Sequence, residues 1–208
     1  MLLVRPEGLL KPIADLAEVQ YADRMIRLET EHLILRPLCL LDAPSIQSVF
    51  QTWEIVQWMA DAVPWPYPGD GAMTFVSTIA LPDMEQGKAW HWSIRPKSDP
   101  DHLVGVVSLT ERVDNNRGFW IDPAWQGRGF ATEASAAATD YWFGPLGKDT
   151  LRVPKAIGNT ASRRISERQG MKVIRTLKLP FVSGLHDAEL WEIDAQGWRQ
   201  YRRSSAAG

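Results

Sequence analysis

The chain has 208 residues, of which 45% are hydrophobic and 23% are charged, and its formal net charge is −2 at pH 7. This size and composition are typical of one globular domain, and the charge gives no general attraction for nucleic acid or an acidic membrane surface. Cys39 is the only cysteine, which excludes an intramolecular disulfide and a multi-thiolate site, and we expect no metal. The first apolar run stops at Arg5, too early for a signal peptide or a membrane span, so we expect a cytoplasmic protein.

The spacing of apolar residues divides the chain into alternating helices and strands. We expect an extension with a peripheral helix over residues 1–26, one domain over 27–200 and a frayed tail over 201–208. The elements predicted within the domain are, in chain order, a strand at 33–38, a helix at 42–53, an aromatic and proline-rich loop at 63–71, a helix at 72–81, strands at 89–94, 103–109 and 118–121, a helix at 127–143, a strand at 151–157, a helix at 160–169, and strands at 172–179 and 188–193. This order predicts an α/β (α+β) fold with a mixed, mostly antiparallel central sheet and helices on both faces.

The segment 118–134 carries the clearest chemical signal, because a strand and a short turn lead into a helix that begins among glycines. Gly127 and Gly129 remove side chains that would block a diphosphate, and the unpaired N–H groups of the first helical turn attract an anion. Arg128 can add a charged contact. A dinucleotide fold would place a third glycine at Thr132, and a P-loop would need a lysine followed by serine or threonine. The pattern predicts an anion cradle, although a Gly-x-Gly pair alone is also typical of a tight turn.

The segment Gln126–Ala131 resembles the acetyl-coenzyme A (acetyl-CoA) signature of the GNAT family of N-acetyltransferases, Gln/Arg-x-x-Gly-x-Gly/Ala. The similarity extends over roughly 28–198 and is greatest to the branch of ribosomal-protein N-terminal acetyltransferases, whose expected order is matched by 33–38, 66–68 and 191–193. The resemblance implies the GNAT acyl-CoA N-acyltransferase fold. It also implies an enzyme that transfers the acetyl group of acetyl-CoA, its cosubstrate, to a primary amine on a peptide N-terminus or a small molecule.

The same resemblance assigns residues to the acetyl-CoA site. The pyrophosphate would be held by the backbone amides of six consecutive residues: Gln126, Gly127, Arg128, Gly129, Phe130 and Ala131. The strand residues Phe119, Trp120 and Ile121 would pair with the pantetheine arm. The segment 159–171 is similar to the family's Asn-x-x-Ala/Ser helix, so Asn159 and Ser162 would also meet the pantetheine. From the residues alone, Asn159 is equally a helix N-cap, and both roles can hold together.

Two positions depart from the family pattern. Ser166 stands where many relatives have a tyrosine that protonates the departing thiolate, and a hydroxyl so weakly acidic can at most relay a proton through water. Asn116 stands where many members of the branch have a catalytic glutamate. Glu111, or else Asp114, is the nearest substitute, although each is also interpretable as an exposed turn carboxylate. Our candidate catalytic residues are therefore Glu111 and Ser166.

The missing glutamate bears on the acceptor. At neutral pH, deprotonating a lysine costs about 3.5 kcal/mol more than deprotonating an α-amine, so a site without a dedicated base favours an α-amine or a small amine. Aromatic walls suit an apolar side chain or a cation, and Trp65, Tyr67 and Trp92 are the candidates, unless they simply fill the core. We expect a monomer or a homodimer that binds neither nucleic acid nor a membrane.

Two other functional classes remain open. One is a catalytically degenerate module of the same fold that binds coenzyme A or a partner without turnover, which Ser166 and Asn116 would favour. The other is a nicotinamide oxidoreductase, which Thr132 disfavours. Release of free thiol from acetyl-CoA in the presence of pooled amines separates the enzyme from both.

Overall fold

The structure is a computed structural model, and it describes residues 26–206. The peripheral helix predicted within residues 1–26 lies outside this range except for Ile26. The strands are β1 (Leu28–Glu29), β2 (Leu33–Pro37), β3 (Ala89–Pro96), β4 (Gly105–Thr110), β5 (Arg117–Ile121), β6 (Thr150–Ala156), β7 (Lys172–Phe181) and β8 (Gly184–Asp194). The helices are α1 (Ala43–Phe50), α2 (Trp53–Val56), α3 (Gly71–Phe75), α4 (Leu81–Glu85), α5 (Phe130–Phe143), α6 (Thr160–Arg168) and α7 (Ala195–Ala206). A π-helical turn at Val76–Ala80 joins α3 to α4.

The strands form two antiparallel sheets. One has the order β1-β2-β3-β4-β5 and the other has the order β6-β8-β7. The first contains the predicted meander, with β3 paired to β4 and β4 to β5. This confirms the predicted fold class, and the structure adds that the strands separate into two sheets, with β5 and β6 as the edge strands that face each other.

Helices cover both faces of the five-stranded sheet, as predicted. Because side chains alternate between faces along a strand, Trp92 and Val107 belong to the core beneath α5, whereas Val106 belongs to the core beneath α1–α4. The alanines of α5 let that helix lie close to the sheet, and Ala134 and Ala138 are fully buried there. Within residues 26–206, no helix combines the length and apolar character needed to span a membrane.

The carboxyl terminus differs from the prediction. The tail that was expected to fray from residue 201 continues α7 as far as Ala206. Trp198 is buried and its Nε1 donates to Asp140 Oδ1 over 2.8 Å, while its ring packs on Tyr201 with a centroid distance of 4.9 Å. The bond to Asp140 anchors α7 against α5, and the sequence of the tail alone did not indicate it.

Asn116 joins the two sheets. Its backbone N–H donates to Arg152 O over 2.7 Å, and its Oδ1 accepts from Arg152 N over 2.8 Å. Its Nδ2 donates to the carbonyls of Thr110 and Arg112 over 3.2 and 2.9 Å. Asn116, where the resemblance led us to expect a glutamate, has a structural task, because it ties β6 to the loop before β5. The two strands are in separate sheets, and a cleft opens between them.

Candidate active site

The cleft between β5 and β6 has a volume of about 990 Å³. Both walls are sheet edges, and an edge strand presents backbone N–H and C=O groups that an extended ligand can pair with. On one wall the lining residues include Phe119, Trp120 and Ile121 of β5, and on the other they include Lys155 of β6. A long, extended and partly polar ligand fits such a surface better than a compact one.

The glycine turn at one end of the cleft has the geometry of an anion cradle. Gly127 and Gly129 have φ values of +77° and +83°, in the left-handed region that favours glycine. A Cβ at either position would meet no atom within 4 Å, so the space that side chains would fill is open. The first backbone bond of α5 runs from Glu133 N to Gly129 O over 3.0 Å, which leaves the N–H groups of Phe130 to Thr132 without acceptors inside the helix. Such a helix end attracts a phosphate.

Nearly all the residues assigned to acetyl-CoA line this one cleft. They are Phe119, Trp120, Ile121, Gln126, Gly127, Gly129, Phe130, Ala131, Asn159 and Ser162. Arg128 is not among the lining residues, and its guanidinium lies 4.5 Å from the centre of the Trp125 ring. Asn159 is the N-cap of α6, with its Oδ1 accepting from Ser162 N over 3.2 Å. Segments 119–131 and 159–162 are therefore brought together across the split between the sheets.

The two candidate catalytic residues are not brought together. Glu111 lies outside the cleft, where its carboxylate pairs with the Lys148 ammonium. Ser166 is fully buried, does not line the cleft, and its Oγ has no hydrogen-bond partner among the described residues. Asp114 does line the cleft, but its carboxylate is held by Arg152 over 3.3 Å and Arg175 over 3.0 Å.

The aromatic residues suggested for the acceptor also lie away from the cleft. Trp92 is fully buried under α5, edge-on to Tyr141, because the alternation along β3 turns it towards the core; this placement corrects its assignment as a substrate wall. Trp65 is 42% exposed and packs on Trp53, and Tyr67 packs edge-on against Phe50 with a centroid distance of 5.0 Å. Burial raises the pKa of Tyr67 to about 12. None of the three lines the cleft.

A second group of residues, none of them in the glycine turn, forms an apolar part of the cleft. The apolar lining here comes from α2 with the loop after it, and from β7: Ile55, Trp58, Met59, Val63, Leu177, Leu179 and Phe181. Val182 N donates to Met59 O over 3.0 Å, and Ala60 forms a β-bridge with Phe181, so these distant segments are bonded together. We refer to this surface as the apolar end. Its members lie about 120 residues apart in sequence, so no local motif could have indicated it.

Residues 32–172 match the family described as the acetyltransferase (GNAT) domain. The chain belongs to this family. It is 25% identical over 153 residues to the uncharacterized N-acetyltransferase YoaA of Bacillus subtilis. The matched region covers 70% of this chain and 82% of that protein. It is also 30% identical over 89 residues, 40% of this chain and 49% of the other, to the putative ribosomal N-acetyltransferase YdaF of the same organism.

Solved structures share the fold. Mycobacterium smegmatis RimJ in complex with CoA-disulfide has a TM-score of 0.72 at 21% identity, with 85% of this chain and 89% of that chain covered. The ribosomal-protein-S5-alanine acetyltransferase of Vibrio fischeri has a TM-score of 0.71 at 17% identity, with 84% and 99% covered. The family match confirms the predicted family and enzyme class: this is an N-acetyltransferase of the GNAT family, and acetyl-CoA is the donor that the family uses.

The residues present fit acetyl-CoA. The open glycine turn would hold its pyrophosphate, and the free edge of β5 would pair with its pantetheine arm. Gln126 Nε2 donates to Ile121 O over 3.0 Å, which ties the cradle to the end of β5. These groups would bind acetyl-CoA through the backbone, so they would position the donor without titrating near neutral pH.

Two buried cations near the cleft were not predicted. Lys155 Nζ donates to Ser162 Oγ and lies 5.3 Å from the centre of the Phe119 ring. Burial, and secondarily the charge of Arg117, lower the pKa of Lys155 to about 7. Arg117 is itself bonded to Thr139 Oγ1 and to Ser135 O, and burial lowers its pKa to about 10. One feature of the sequence indicates the burial of Lys155: it follows Leu151 and Val153 at every second position of β6, and both of these residues are buried.

Proposed function

We propose that this protein acetylates the α-amine of a peptide or protein whose first side chains are apolar, with acetyl-CoA as donor. The observation that carries the proposal is the apolar end of the cleft, where partly exposed Leu177, Leu179 and Phe181 face the residues after α2. A surface of this kind binds an apolar side chain and rejects a highly charged small amine. Glu54 lines the same cleft and supplies a negative charge for the approaching amine.

The described residues support an α-amine in a second way. Among the carboxylates considered as a base, Glu111 is outside the cleft and Asp114 is bonded to two arginines. An α-amine with a pKa of about 7.7–8.0 reaches its neutral, nucleophilic form near neutral pH without a strong base, whereas a lysine at about 10.4 does not. Water in the open cleft, or the Glu54 carboxylate that lines it, is then a sufficient proton acceptor. We expect the enzyme to act in the cytoplasm.

The relatives' names agree with this acceptor class. YdaF is named a putative ribosomal N-acetyltransferase, and the Vibrio fischeri protein is named for the alanine of ribosomal protein S5. Those names describe those proteins. For this chain they identify the first peptides to test, which are short sequences with a free amino-terminal alanine, methionine or leucine.

The experiment compares three acceptors by thiol release from acetyl-CoA. The first is a peptide with a free amino-terminal apolar residue and no lysine, the second is the same peptide with a blocked amino terminus and one internal lysine, and the third is a polyamine. We expect kcat/KM to be at least tenfold higher for the first. A higher value for the lysine peptide or the polyamine would contradict the proposal.

The second candidate function is a degenerate module that binds coenzyme A without turnover. It is favoured by the burial of Ser166, which occupies the tyrosine position with no access to the cleft. Acetyl-CoA at about 100 times its dissociation constant would stabilise either protein by about 2.7 kcal/mol. Stabilisation without thiol release from any acceptor would therefore select the degenerate module.

A further inference from the structure

The Lys155 amine lies between the two walls that would hold the pantetheine arm. Its side chain is buried, with 7% of its surface exposed, yet it lines the cleft. On one side it donates to Ser162 Oγ, and on the other it lies 5.3 Å from the centre of the Phe119 ring. Phe119 is two residues, or about 7 Å of strand, before Ile121, where β5 ends, and it is eight residues before Gly127 of the glycine turn. The amine is thus placed towards the reacting end of an extended arm whose pyrophosphate rests on the glycines.

None of the charged groups described around Lys155 acts as a counter-ion for its amine. From β5, buried Arg117 contributes a positive charge, and from β8, Glu189 is the direct cross-strand neighbour. The Glu189 carboxylate is already bonded to Arg163 of α6 over 2.8 and 3.0 Å. Among the described residues no carboxylate pairs with Lys155, and its hydrogen-bond partner is a neutral serine.

The acetyl transfer of the proposed function needs a proton at the sulfur atom of coenzyme A. Resting on that proposed function, we propose that Lys155 supplies this proton. The acceptor nitrogen forms the C–N bond to the acetyl carbon, and the C–S bond breaks with its electron pair going to sulfur. The Lys155 ammonium gives one proton to that sulfur, so that coenzyme A leaves as the thiol. The proton released by the acceptor nitrogen returns through water to the Lys155 amine, which restores the starting state.

The acidity of the group suits this transfer. A thiol has a pKa of about 8.5, so an ammonium with its pKa at about 7 gives its proton to a thiolate downhill, whereas an ordinary lysine at about 10.4 gives it uphill. Burial among Arg117, Phe119 and Ser162 is the physical cause of the difference. A serine hydroxyl at position 166 cannot perform the same step.

The test compares Lys155→Met and Lys155→Arg with the control Lys97→Met, a lysine that pairs with Glu29 outside the cleft. The methionine variant has no proton to donate to the sulfur. The arginine variant keeps the positive charge, but its guanidinium does not release a proton. We expect kcat with acetyl-CoA to fall about 100-fold in both Lys155 variants, within the usual range for loss of a general acid, and to be unchanged in the control. We expect calorimetric affinity for acetyl-CoA to stay within threefold in the arginine variant.

Two further measurements separate proton donation from positioning. With the acetyl thioester of 4-nitrothiophenol, whose thiolate leaves without a proton, the variants should match wild type in kcat/KM. With acetyl-CoA, wild-type kcat should show a loss at alkaline pH, as Lys155 deprotonates, that the Lys155→Arg variant lacks. In protein labelled with ¹⁵N-lysine, the Nζ signal missing from the Lys155→Arg variant should titrate near pH 7, and this needs no turnover.

The inference is overturned if kcat of both variants stays within threefold of wild type, or if the aryl thioester shows the same loss as acetyl-CoA. It is also overturned if the ¹⁵N signal titrates above about pH 9, or if mass spectrometry finds Lys155 acetylated as an intermediate. A wild-type protein that transfers acetyl to no amine defeats the proposed function instead. The ¹⁵N titration still decides the acidity of Lys155 in that case.

Discussion

The two ends of the cleft are made in different ways. At the glycine end, one continuous segment from Phe119 to Ala131 provides backbone groups, and Asn159 caps the facing helix. At the apolar end, side chains from α2 and its following loop meet side chains of β7, joined by the Met59–Val182 hydrogen bond and the Ala60–Phe181 bridge. The first is local and polar, and the second is long-range and apolar.

We expect this difference to separate the donor from the acceptor. Backbone groups recognise a phosphate in the same way whatever side chains surround them, so the glycine end suits a cosubstrate common to a whole family. Side chains can be exchanged without disturbing the sheet edge, so the apolar end can differ between relatives and set acceptor choice. Changes at one end should therefore alter the kinetics of one substrate only.

The largest effect is expected from Gly129→Val. A valine side chain would enter the open space where the phosphate is expected, and acetyl-CoA affinity should fall at least 100-fold as charge-assisted hydrogen bonds are lost. Since Gly129 has φ +83°, the variant should also lose about 1–2 kcal/mol of unfolding free energy. Calorimetric titration and thermal denaturation measure the two losses.

Gly147→Val is the matched control for that strain. Gly147 has φ +61° and open space around its Cβ, and it does not line the cleft. It should lose similar stability while binding acetyl-CoA as wild type does. If Gly129→Val binds within threefold of wild type, the glycines form only a turn.

The next largest effect is expected from Trp58→Ala. Trp58 lines the cleft and its ring lies 5.5 Å from that of His186, so its loss removes an aromatic surface from the acceptor side. We expect the acceptor KM to rise about tenfold, equivalent to about 1.4 kcal/mol, with the acetyl-CoA KM within threefold. Trp53→Ala is the control, since Trp53 packs on Trp65 outside the cleft. An equal rise in both KM values for Trp58→Ala would show that the ends are not independent.

A smaller effect on both substrates is expected from Asn116→Ala. The substitution removes the side-chain bond from Arg152 that holds β6 to the loop before β5, and the bonds to Thr110 and Arg112 that brace that loop. Both KM values should rise about threefold, and unfolding free energy should fall by about 1–3 kcal/mol. Asn116→Asp, which keeps the acceptor for Arg152 N–H, should lose less. A change in only one KM would mean that Asn116 supports one wall rather than the junction.

The smallest effect is expected from Glu133→Gln, which should leave both KM values unchanged. Burial opposes ionisation of Glu133, but hydrogen bonds from Thr30 and His32 prevail and lower its pKa. A carboxylate with a depressed folded pKa stabilises the fold above its unfolded pKa, and this stabilisation is lost as pH falls through the folded pKa. The variant should be about 1 kcal/mol less stable than wild type at pH 7 and equal to it in strong acid, by thermal denaturation. A difference independent of pH would assign the loss to packing.

The geometry of the residues assigned to acetyl-CoA was predictable because it is local. Gly127 and Gly129 lie two residues apart in the sequence and both have left-handed conformations. Helix α5 begins directly after Gly129. The placement of Trp92, Trp65 and Tyr67 was not predictable in the same way. Their aromatic character is equally suited to a core and to a substrate wall, and only the alternation of β3 within its assembled sheet turns Trp92 inwards.

By itself, the sequence determined the order of strands and helices, the antiparallel meander and the anion cradle, since each depends on residues within about one element of each other. The tertiary structure alone decided three matters: that the strands part into two sheets at Asn116, that β7 and the loop after α2 meet at the surface we propose for the acceptor, and that Lys155 is buried beside Arg117 with no carboxylate among residues 26–206 paired to it. Each of these depends on groups far apart in the chain. Their distance, solvent access and mutual charge are set only when the sheets are packed, and these are the quantities that decide a side chain's acidity and its reach to a substrate.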